Sequence, residues 1–168
     1  MFFKSEQECK ALAQRLGFDR EVLARAESEP PCPGCIRVFI EDERARSVSI
    51  ATKLASFLGV FTTCLVWVTE YGIWPSSENL HLYYRLRSSY GDLRELRDAP
   101  GHHYYWHEIP DLTTLIDLMI QFGWGGHILA SSGSLYLSHD GWVRVFSQLE
   151  KEQMLHKLES SRLKYAVE

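Results

Sequence analysis

Residues 61–91 read FTTCLVWVTEYGIWPSSENLHLYYRLRSSYG, and their reading decides the fold. The stretch begins as a nearly unbroken apolar run, the pattern of a strand covered on both faces, with Trp67 in the core. It breaks at Glu70-Tyr71-Gly72, crosses an aromatic loop ending in Trp74-Pro75, and restarts at Ser76-Ser77-Glu78 with the residues that open helices. The helical stripe Leu82, Tyr83, Leu86, Tyr90 and Leu93 outweighs the shorter alternation of Leu80, Leu82, Tyr84 and Leu86. Open α/β sheets place sites where polar and aromatic groups leave the end of a buried strand. That makes the 70–78 loop the candidate site.

Upstream, Ile36–Ile40 reads as a strand and residues 43–58 as a helix with Val48, Ala51, Leu54, Ala55 and Leu58 inward. With the run that follows Gly59, this predicts a βαβ unit and therefore parallel pairing by a right-handed crossover. Further upstream, Ser5 and Glu8 have capping-box spacing, and Asp19 can cap a second short helix. Residues 1–29 are thus expected as a helical hairpin, joined through Pro30-Pro31-Cys32-Pro33-Gly34 to an α/β domain over 36–168, the whole one compact unit.

Downstream, residues 102–108 read as a strand, and Pro110-Asp111 opens a helix that stops at Gly123. A hairpin is expected around Ser131–Ser134, then a long helix from Gly141 to about Leu163 capped by Asp140. The expected fold is α/β: a layered, mixed sheet of about five strands with flanking helices and the N-terminal hairpin.

Composition narrows the function. Eighteen Lys and Arg against 22 Asp and Glu give a net charge of −4 and a pI near 6.0, against the basic footprint of a nucleic-acid binder. Nothing approaches a membrane-spanning apolar stretch, and Glu6 and Glu8 interrupt any secretory leader, so a cytoplasmic protein with reduced cysteines is expected. Hydrolase, nucleotide-binding and zinc-protease motifs are missing. Ser138-His139-Asp140 has the residue types of a triad, but sequence neighbours cannot adopt its geometry.

Cys32-Pro33-Gly34-Cys35 fits a rigid turn first, then half of a zinc site, then a redox pair. No cofactor is expected unless Cys32 and Cys35 recruit zinc. His102, His103 and His107 fit partly buried, hydrogen-bonded histidines better than metal ligands. Five Trp exceed what a minimal core needs, and loop aromatics are apt for protein contacts. The leading expectation is a non-enzymatic protein-binding module of the inhibitor or immunity type, engaging another protein through Glu70, Tyr71, Trp74, Glu78 and Trp124. The alternative is a small hydrolase or transferase using Glu70 and Glu78 with a histidine such as His81 as acid and base.

Overall fold

The structure is a computed structural model and describes residues 1–28, 35–40, 46–71, 80–147, 151–161 and 163–168. In chain order its elements are β1 (Phe2–Lys4), α1 (Glu6–Arg15), α2 (Arg20–Glu27), β2 (Ile36–Phe39), α3 (Ser47–Phe57), β3 (Thr63–Glu70) and α4 (Leu80–Ser89). These are followed by β4 (Gly101–Tyr105), a 3-10 turn (Trp106–Glu108), α5 (Ile109–Phe122), β5 (Gly125–Ala130), β6 (Gly133–Leu137), β7 (Trp142–Ser147), α6 (Lys151–Ser161) and β8 (Lys164–Val167).

The apolar run of β3 is buried from Cys64 to Val68, as its composition requires. Its neighbours, however, are β4 and β5, both antiparallel. The strands form one eight-stranded sheet in the order β1-β4-β3-β5-β6-β7-β2-β8, antiparallel at every junction. This overturns the expected mixed sheet of about five strands and its βαβ unit. β2 does not adjoin β3; β5, β6 and β7 lie between them. The reason lies in coverage: helices pack on both faces of the sheet, so an antiparallel strand acquires the all-apolar signature usually left by parallel ones.

Even-numbered β3 positions Cys64, Val66 and Val68 join the main core with Ile36, Val38, Ile128, Leu135, Val143 and Val145 from other strands. α3, α4, α5 and α6 contribute Leu54, Tyr83, Ile116 and Leu158 to that core. Leu65 and Trp67 point to the opposite face, where Cys9, Leu12 and Ala13 of α1 cover them together with Leu129. α1 starts with the expected capping box between Ser5 and Glu8, and Asp19 caps α2. α5 ends at Gly123 in the left-handed conformation, φ 65°.

The long C-terminal helix is also overturned. Ser138–Gly141 instead turn β6 into β7: Gly141 N–H donates to the Ser138 carbonyl at 3.2 Å and Ser138 N–H to the Trp142 carbonyl at 2.9 Å. Gly141, at φ 81°, takes the left-handed position such a hairpin requires. Val143 and Val145 then alternate inward against Leu137 and Leu135. The strand expected over 102–108 stops at Tyr105, and β1 precedes the two N-terminal helices, edging the sheet beside β4. Among the described residues no helix is long and apolar enough to cross a membrane.

Candidate functional site

On the face covered by α1 and α2, one cross-strand row runs Trp67–His127–Tyr136–Arg144–Arg37 from β3 to β2. Two arginines directly opposite each other repel unless neutralised. Glu168 does this, with Oε1 2.5 Å from Arg37 Nε and Oε2 2.9 Å from Arg144 Nε. Arg144 also donates through Nη1 to the carbonyls of Arg25 (3.2 Å), Ala26 (2.7 Å) and Ser28 (2.7 Å), the exposed acceptor end of α2. Next along the row, buried His127 meets Glu27 of α2 at 2.7 Å, which holds the Glu27 carboxyl below its ordinary range.

Glu70 reaches this same face through an irregularity. Strand alternation from Trp67 would send residue 70 toward the main core, but the register with β5 shifts between Val68 and Glu70. Such a bulge re-aims a side chain. Gly125 and Gly126 make room for it: a Cβ on Gly125 would lie 2.2 Å from Glu70 Oε2, and one on Gly126 only 2.4 Å from the Trp67 carbonyl. Glu70 Oε2 accepts from His139 Nδ1 at 2.6 Å, and the Tyr136 hydroxyl hydrogen-bonds the same carboxylate. Burial first, then the Glu70 charge, keeps Tyr136 protonated well above the usual tyrosine range.

The second ring nitrogen of His139 lies 3.3 Å from Asp140 Oδ1, while Ser138 Oγ is engaged by the Asp140 N–H at 3.2 Å. Both nitrogens of His139 therefore face carboxylates and none is presented to a substrate. The arrangement is a charged clip fastening the β6–β7 hairpin to the end of β3, not an acid–base pair with a nucleophile. The Glu70 hydrogen bond is the largest cause raising the His139 pKa, so the ionic form of the clip is complete below the unfolded value of 6.5 and is lost as pH rises through the higher folded value. Glu70→Gln should move the His139 titration down toward the ordinary histidine range and cost at most about 1 kcal/mol, because the pair is partly solvated. The cost should be greater at pH 6 than at pH 9 in urea unfolding; an unmoved His139 titration would refute the clip.

The other predicted binding residues do not share one surface among the described residues. Tyr71 is half-buried and packs on the main core. Trp124, 2% exposed, wedges edge-on against Tyr83 at 5.2 Å and beside Phe122, so it is a core plug and not a contact residue. Trp74, Glu78 and Cys32 lie outside the described residues. Cys35 is buried just before β2, and no three His, Cys, Asp or Glu among the described residues are grouped to hold a metal. His81 is exposed on α4, and His102 is fully buried.

The exposed aromatics are elsewhere. Trp106 is 64% exposed, Val60 95% and Ile109 45%; Tyr105, the residue before Trp106, is also exposed and meets exposed Phe2 edge-to-face at 6.1 Å. Val60, Phe61, Thr62, Trp106 and Ile109 enclose a surface hollow of about 620 Å³ together with Gly59 and Ser131. None of those side chains carries a charge. Trp106 is fixed by its own backbone: its N–H donates to the Thr62 carbonyl at 3.2 Å, and Glu108 closes the turn by accepting from Tyr105 N–H at 2.9 Å. The Tyr104-Tyr105-Trp106 run was the available signal, but its exposure follows from where β4 ends. No family model matches the chain, and neither a curated protein nor a solved structure matches it.

Proposed function

We propose that this chain is a cytoplasmic protein-binding module whose contact surface is the Val60–Trp106–Ile109 patch, with Phe2 and Tyr105 at its border. The carrying observation is a largely exposed tryptophan on a turn whose backbone is pinned to Thr62. Fixing the backbone beneath an anchor before contact lowers part of the ordering cost of association, and Trp is enriched among the residues that dominate interface energies. The uncharged hollow beside it suits an apolar side chain protruding from a folded protein partner. Buried thiols at Cys9 and Cys64, raised well above the ordinary cysteine range by burial, suit a reducing compartment.

The test is quantitative. A protein recovered with the wild-type chain from its native cells is purified and titrated against wild type, Trp106→Ala and Val60→Asp. Each substitution should weaken binding at least about tenfold, or 1.4 kcal/mol, without altering the unfolding midpoint. Equal affinity for all three would overturn the reading. Light scattering supplies the second arm: a wild-type dimer dissociated by Trp106→Ala would assign the patch to self-association instead.

A further inference from the structure

The α1–α2 hairpin does not close completely over the sheet. Leu65 is sealed beneath α1, but Trp67 forms the floor of a cavity of about 470 Å³ between the two helices. Phe18 and Leu23 supply apolar walls, and Lys10, Gln14 and Arg20 supply its polar lining. The size lies within the range of small-molecule sites.

Charge distinguishes this opening from the rest of the surface. The chain carries a net charge of −4, yet among the described residues the lining holds two cations and no carboxylate. Among the described residues Lys10 pairs with Glu6 at 2.6 Å, an exposed pair one helical turn away that exchanges readily with solvent. Arg20 makes no ion pair among the described residues, which leaves its planar fork available for bidentate capture of an anion. Trp67, Phe18 and Leu23 supply apolar surface, and Lys10 and Arg20 supply positive charge at the rim. That combination selects a ligand with a flat apolar body and one anionic end.

We propose that this cavity binds a small aromatic carboxylate, its ring against Trp67 and its carboxylate between Arg20 and Lys10. The site is separate from the Trp106 patch, so the two assignments stand or fall independently.

The experiment uses the full chain, labelled with nitrogen-15, titrated with 2-naphthoate, indole-3-acetate and the uncharged analogue 2-naphthamide. At least one carboxylate should bind saturably with 1:1 stoichiometry, moving amide signals of α1 and α2 and the Trp67 indole N–H. The amide should bind at least tenfold more weakly than 2-naphthoate. Arg20→Gln, at an exposed position, should weaken carboxylate binding about tenfold, whereas Trp106→Ala should leave it unchanged. Absence of saturable binding by either carboxylate at millimolar concentration would overturn the proposal. Equal affinity for naphthoate and naphthamide, or shifts centred away from the hairpin, would overturn it as well.

Discussion

Arg144→Ala should lower the free energy of unfolding by about 3–5 kcal/mol, read as a reduced urea midpoint with an unchanged slope. The guanidinium is completely buried and ties the Glu168 carboxylate to three backbone carbonyls at the end of α2. Without it, the Glu168 carboxylate loses an arginine partner, and the carbonyls of Arg25, Ala26 and Ser28 lose their common donor. A buried acceptor left without a donor carries its full desolvation penalty, whereas the intact bond contributes less. The side chain also lies over the Trp142 ring at 5.1 Å, so truncation opens a void beside an aromatic. Arg144→Lys should recover only part of the loss, because one ammonium cannot span both the carboxylate and three carbonyls. Amide exchange gives the local readout: α2 should lose protection before the strands do. A loss below about 1 kcal/mol for the alanine variant would show that α2 is held by other means.

How far these features were legible follows from where their partners lie. The burial of β3 can be read from Cys64 to Val68 alone, since an apolar run of strand length must be covered. Its direction cannot, because pairing is settled by residues such as His102 and Ile128 that lie far along the chain. The β6–β7 hairpin was present in the sequence: Asp140-Gly141 between Leu135, Leu137, Val143 and Val145 is a strong turn signal. Val145, Phe146 and Leu149 also fit the spacing of a helical stripe, and that periodicity masks the turn.

Glu70 was identifiable as a polar group at a strand end, but its turn onto the α1–α2 face depends on a bulge seated by two glycines 55 and 56 residues later. Its partner His139 is 69 residues away. Trp106 and Trp124 have similar aromatic or glycine-rich surroundings in sequence, yet one is exposed and the other sealed. Only the end of β4 and the tight turn after it separate them.

Acid should destabilise the protein through His102 well before the carboxylates titrate. This ring is fully buried on β4, paired across to Val66 and Phe3, and its Nε2 meets the Tyr83 hydroxyl. Tyr83 accepts from Arg87 Nη1 at 3.0 Å and, with its pKa pushed up by burial, keeps its own proton for His102. The acceptor nitrogen of His102 is therefore unprotonated. Protonating it would set donor against donor and place a second cation beside Arg87, whose guanidinium lies over the Phe3 ring at 4.4 Å. Burial first, then the Arg87 charge, lowers the His102 pKa to about 3, against the opposing pull of the Val66 and Pro100 carbonyls.

Because the folded value is below the unfolded 6.5, the unfolded chain binds the extra proton between those limits. The contribution is complete above pH 6.5 and is lost as pH falls toward 3, at about 1.4 kcal/mol per unit. At pH 4.5 the loss relative to pH 7 is on the order of 2–3 kcal/mol. His102→Gln, which keeps a hydrogen-bonding amide but cannot titrate, should start less stable at pH 7 and decline more gently toward pH 4.5. In the wild type the His102 ring resonances should stay in their neutral position across that interval. Parallel stability curves for the two proteins, or a His102 resonance that moves near pH 6, would remove the buried Arg87–Tyr83–His102 chain as the source of acid sensitivity.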